Sequence, residues 1–128
     1  MLEPDRFYSS SRIKRILRFR DDLRDGITKR IFDPDEKKEG SNYRLWIPLL
    51  KLHYGVHTEG HLAEILLGDC DRALRAVGIR DAFILLAAYT AKLSDGDIAY
   101  LMNTTGEAVI EARQRALDKV AKFLGWRE

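Results

Sequence analysis

The chain has few residues that would staple or break it. Its 128 residues contain one cysteine, Cys70, so no disulfide can close within the chain. That usage suits a reducing compartment. Cys70 lies in the polar run GDCDRAL and reads as a small, partly buried residue, not as a nucleophile. There are only three prolines. No apolar run reaches the roughly 18 residues a membrane helix needs, so no membrane partner is expected. The opening MLEPDRFYSSS is too polar for a secretion signal, which predicts a cytoplasmic protein of the cell that makes it. Phosphate loop, G-x-S-x-G, H-E-x-x-H and paired C-x-x-C motifs are all missing. Glu59 and Glu64 form no convincing acid/base pair. The chain is therefore not expected to be an enzyme or to carry a cofactor. No alternating strand pattern persists for five positions, which predicts an all-α fold.

What is present is apolar and charged in near balance. Hydrophobic residues make up 45% of the chain, enough for a core, and charged ones 33%. The net charge of +2 does not by itself announce a nucleic-acid binder. Its distribution says more. Residues 12–30 hold eight Lys and Arg against three Asp, whereas residues 80–128 hold seven of each sign.

Two parts are expected. Residues 1–40 form a basic N-terminal helix and a polar linker, and residues 41–128 form a helical domain. Residues 1–10 read as a loose arm. Ser10 or Ser11 caps a helix over about 12–29, with Ile13, Ile16, Leu17, Arg20, Leu23, Arg24 and Ile27 inward. Arg12, Lys14, Arg15, Arg18 and Arg20 form a basic patch for phosphate or an acidic partner. The alternative is an ordinary solvated face. Residues 33–42 are a polar connector, and Pro34 stops the helix before it.

The run YRLWIPLLKLHY places Trp46, Ile47, Leu49, Leu50 and Leu52 in the core, with Pro48 starting or kinking a helix. Gly55 ends it. Thr58 caps a helix to about Leu67, and a break falls at Gly68 and Asp69. A further helix runs to Val77. Asp81 caps AFILLAAYTAK, a helix apolar nearly all round and hence central. His53, His57 and His61 have the i, i+4, i+8 spacing of a zinc or nickel site, but Gly55 and Gly60 interrupt them, which leaves them weak candidates. Phe19 among arginines and Trp126 beside Arg127 are sparse stacking candidates, better read as packing residues.

The stretch 93–124 organises the rest. Ser94 caps a helix whose first turn carries Asp95 and Asp97 and whose inner stripe is Ile98, Leu101 and Met102. Asn103 supplies a left-handed end and Thr105 caps a second helix. That helix buries Val109, Ala112, Ala116, Leu117, Val120 and Leu124. This is the helix-turn-helix pattern.

These residues resemble region 4 of the sigma-70 family and the related response-regulator output domains. The matches are Leu93, Ser94, Asp97, Ile98, Ala99, Met102, Thr105, Val109, Arg115, Ala116, Leu117, Lys119 and Lys122. With the preceding helix the resemblance covers about residues 80–128. The chain departs from it at Asn103, where a Gly is expected, and at Ile110, Glu111 and Ala112. The resemblance implies a DNA-binding transcription regulator similar to phage late-gene activators and antiterminators. Its implied partners are double-stranded DNA and bacterial RNA polymerase, including the flap of the β subunit. On DNA, Thr105, Glu107, Ala108, Glu111, Arg113 and Gln114 would lie at the reading end of the second helix. Arg115, Lys119 and Lys122 would join the contacts, with the lysines on phosphates. The alternative is a protein–protein module that binds polymerase or another acidic partner. A weaker one is a small terminase-like subunit for DNA packaging.

Overall fold

The computed structural model describes residues 7–32 and 43–125, and every regular element among them is helical. The expected connector at 33–42 and the pair Trp126 and Arg127 lie outside the described residues.

Helix α1 spans Ser10–Arg18. Its N-cap is Ser9, whose hydroxyl accepts from the Arg12 amide at 3.2 Å. The helix thus starts two residues before the expected 12. It also ends early. Phe19 leaves helical geometry (φ −109°, ψ 31°), and a short α2 follows at Arg20–Arg24. At this break the Leu17 carbonyl accepts from the Thr90 hydroxyl at 2.9 Å, a partner far along the chain. Gly26 then takes a positive φ of 80°, which closes off the continuation to 29.

Residues 7 and 8 are not a loose arm. Phe7 and Tyr8 are buried. The Phe7 ring meets Tyr8 and Trp46 edge-on, each at 5.1 Å, and Phe32 at 5.7 Å. Into this aromatic cage runs Arg12, which is fully buried. Its guanidinium carbon stands 4.6 Å from the Phe7 ring centre and 5.3 Å from that of Phe32. Its Nη1 donates to the Ile31 carbonyl at 2.9 Å. A buried cation is tolerable when ring faces and hydrogen bonds replace its water.

The turn after α2 is tied to the body by Thr28. Its amide and hydroxyl both donate to Glu59 Oε1, at 2.8 and 2.7 Å. These two bonds, the amide first, hold the Glu59 carboxyl below its usual range. A depressed folded value stabilises the fold above the unfolded carboxylate pKa of about 4.3 and is lost as pH falls through the folded value. Glu59→Gln is accordingly expected to lower the urea midpoint at pH 7. The gap to the parent should shrink as pH falls well below 4. A gap independent of pH would discard this account.

Helix α3 (Tyr43–Tyr54) carries Pro48 inside it, not at its start. Trp46 and Leu50 are buried, but Leu52, expected in the core, is 81% exposed. Gly55 ends the run at φ 68°. Helix α4 (Glu59–Val77) begins at the Thr58 cap, which accepts from the His61 amide at 3.1 Å. It passes through Gly68 and Asp69 without the expected break. Asp69 does not cap a helix; its carboxylate accepts from the buried Tyr8 hydroxyl at 2.6 Å and pairs with Arg72. A mid-helix Gly costs about 1 kcal/mol, which burial of Leu62, Leu66, Cys70 and Leu74 outweighs.

Helix α5 (Ile79–Leu85) follows Gly78 (φ 98°) and so starts before the expected cap at Asp81. Asp81 instead pairs with Lys119 at 3.0 Å. The chain then widens into a π-helical turn, Leu86–Thr90. Helices α6 (Asp95–Met102) and α7 (Gly106–Phe123) complete the fold. Asn103 sits at φ 54°, ψ 52°, the left-handed end read from sequence. Ser94 accepts from the Asp97 amide and Thr105 from the Ala108 amide, at 3.0 and 3.2 Å.

Helix α7 joins two cores. Its first half gives Val109 to a small cluster with Ala87, Ile98 and Ala99. Its second half gives Ala116, Leu117, Val120 and Ala121 to the main core, shared with Ile13, Ile16, Leu17 and Leu66. The N-terminal helix therefore does not stand apart, because α1 packs on both α4 and α7.

Candidate interaction surface of the helix-turn-helix

The outer face of α7 is set by which residues its inner face needs. With Val109, Ala116, Leu117 and Val120 turned in, Glu107, Ile110, Glu111, Gln114, Arg115, Asp118, Lys119 and Lys122 stand outward. Thr105 is exposed, with its hydroxyl engaged as the cap, and Ala108 is half-buried.

Arg113 is not among the outward residues. Its Nη1 donates to the Tyr89 hydroxyl at 3.0 Å and its Nη2 pairs with Asp95 at 3.1 Å. It thereby ties α7 to the π turn and to the first turn of α6. Its side chain is only 25% exposed, so the expected base reader serves as a clamp. Lys119 is held by Asp81, and Gln114 donates to Asp118 at 3.2 Å. Arg115 and Lys122 remain exposed on the later turns of α7.

The five residues of the expected basic patch do not share a surface. Arg12 is buried. Arg15 donates to the Ile31 carbonyl at 3.3 Å and to the Arg30 carbonyl. Arg20 pairs with Asp71. Lys14 is half-buried and only Arg18 is exposed. The positive charge that looked free for phosphate is mostly engaged in packing the N-terminal segment. Phe19, between the guanidinium groups of Arg15 and Arg30 at 5.5 and 5.4 Å, belongs to that packing.

His53, His57 and His61 fall on three different pieces: the last turn of α3, the link, and the first turn of α4. Among the described residues no group of three or more His, Cys, Asp or Glu is placed to hold a metal ion. Cys70 is buried in α4, and burial, with Asp71 next, pushes its thiol up to about 12. Native Cys70 is therefore expected to resist iodoacetamide at pH 8 and to react when urea unfolds the chain, as a quench-and-mass assay would read. Rapid native alkylation would contradict the buried placement.

The largest groove, about 620 Å³, lies along α4 beside Tyr54, Ile65, Asp69, Arg72 and Arg75. Behind it Tyr8 donates to Asp69. Burial first, then Tyr54 and Asp69, hold that phenol far above its ordinary range, so it remains a donor throughout the working pH range.

The sequence reading missed the apolar residues on the front of the helix-turn-helix. Tyr100 is 86% exposed, Leu101 59% and Ile110 48%. Leu101 was expected inward with Ile98 and Met102, but Ala99 takes the buried place. In an eight-residue helix the i, i+3, i+4 rule allows either stripe, and only the partner surface chooses.

No helix among the described residues is long and apolar enough to cross a membrane. With this all-α, helix-turn-helix-bearing geometry in hand, comparison with known proteins adds no name. No family model, curated protein or solved structure matches the chain.

Proposed function

We propose that this chain is a transcription regulator whose helix-turn-helix acts as a protein-docking scaffold, with bacterial RNA polymerase as the partner class. The observation that carries the protein-docking half is the character of α7. Its reading end offers Glu107, Ile110 and Glu111, while Arg113 is turned inward onto Tyr89 and Asp95. Carboxylates at that end repel phosphate, and an engaged Arg cannot grip guanine. The polymerase half rests on the resemblance to sigma region 4 over residues 80–128.

A second reading has a specific observation behind it. Gln114, Arg115 and Lys122 are exposed on α7, and these are the side chains DNA contact would use.

Salt dependence separates the two. The chain, incubated with labelled random duplex DNA between about 50 and about 200 mM salt, is expected to bind weakly and with a shallow slope. Each phosphate contact would add a slope of about −0.9. Purified RNA polymerase is expected to retain the chain after nuclease treatment. Steep salt-dependent DNA binding, with polymerase capture abolished by nuclease, would reverse the order of the two readings.

A further inference from the structure

The outward faces of α6 and α7 repeat one pattern. On α6, Asp97, Tyr100 and Leu101 stand at i, i+3, i+4; on α7, Glu107, Ile110 and Glu111 do the same. Residues so spaced share one face of a helix. The two strips are joined by the exposed turn at 103–105. All three acids are exposed, and no ion pair among the described residues engages them.

Favourable placement at helix starts accounts for Asp97 and Glu107, which lie in first turns. It does not account for Glu111, nor for an α6 that buries Ala99 and leaves Tyr100 86% and Leu101 59% exposed. An isolated exposed apolar residue needs no explanation, but two adjacent ones on a face bordered by carboxylates have the composition of an interface.

We propose that this face docks a basic amphipathic segment of a partner protein. Its apolar side chains would lie on Tyr100, Leu101 and Ile110, and its Lys or Arg against Asp97, Glu107 and Glu111. The charge complementarity chooses this occupant. An acidic segment, or the phosphates of a duplex, would meet like charge at three positions. The inference rests on the protein-docking reading above and names the chemistry of the partner.

The test uses the full chain and three labelled synthetic peptides. One is a helical leucine/lysine peptide with its leucines on one face. One has the same spacing with glutamate for lysine. The last has the leucine/lysine composition scrambled. The first is expected to bind at least about tenfold more tightly than the other two. Tyr100→Ser with Leu101→Ser should lower its affinity about tenfold. Glu107→Gln with Glu111→Gln should lower it and flatten its salt dependence, while far-UV circular dichroism stays unchanged in both variants.

Equal binding of the three peptides would overturn the proposal. So would peptide affinity indifferent to Tyr100→Ser with Leu101→Ser, which would mean simple attraction to net charge. A dimer that this double variant dissolves in light scattering would assign the face to a second copy instead. DNA affinity raised by the glutamine pair, with peptide binding unmoved, would assign it to nucleic acid. Loss of polymerase capture with peptide discrimination intact would remove only the polymerase assignment.

Discussion

Arg12→Ala is expected to lower the unfolding free energy by about 3–4 kcal/mol, the largest single loss among the changes considered. The side chain is fully buried, between the rings of Phe7, Phe32 and Trp46. Truncation removes its stem from the core, its ring contacts and its bond to the Ile31 carbonyl. A cavity is left where three aromatic rings converge, and such rings collapse poorly. For a chain of this size that loss lowers the melting temperature by roughly 10–15 °C. Arg12→Met separates packing from charge. Methionine refills most of the stem volume without a charge to desolvate, so it should recover more than half of the loss. Urea unfolding followed by far-UV circular dichroism measures both. A cost under about 1 kcal/mol for the alanine variant would return Arg12 to the solvent-facing role expected from its neighbours in sequence.

Arg113→Ala is expected to cost about 2 kcal/mol, less than Arg12 because Arg113 and Asp95 are partly exposed and water screens the pair. The loss should be local. Cutting the bonds to Tyr89 and Asp95 frees the first turn of α6, so amide exchange should accelerate in α6 and the π turn and stay slow in α4. Arg113→Lys should recover little, because one ammonium does not span two acceptors as a guanidinium fork does. On duplex DNA the alanine variant should show only the parent's weak, non-specific affinity. If Arg113→Ala left stability untouched and removed DNA binding, Arg113 would be a reader after all.

Both residues illustrate how charge misleads in this chain. The surplus of Lys and Arg in residues 12–30 reads as a solvent-facing patch because hydropathy ranks every Arg as exterior. Arg12, Arg15 and Arg20 each find a partner inside the fold: aromatic rings, backbone carbonyls and Asp71. Long amphipathic stems let arginine line a core where its head is satisfied. Removing these three from the expected patch, and Arg113 from the reading end, leaves the helix-turn-helix with an acidic and apolar front. The proposed protein partner follows from that change of sign.

The sequence by itself determined the local punctuation of this protein. The caps at Thr58, Ser94 and Thr105, the left-handed Asn103 and the stop at Gly55 all stand where their residue types placed them. Each is an arrangement among atoms three or four residues apart, so composition in a short window suffices. The all-α class and the two motif helices followed from the same local rules. Tertiary structure alone decided which faces are inside. It buried Arg12 and exposed Leu52 and Leu101. It carried α4 through Gly68, and it broke the first helix at Phe19. Those outcomes depend on contacts such as Tyr8 with Asp69 and Thr90 with Leu17, 61 and 73 residues apart. No periodicity in a short window encodes a partner that distant, because burial belongs to pairs of surfaces and not to one helix.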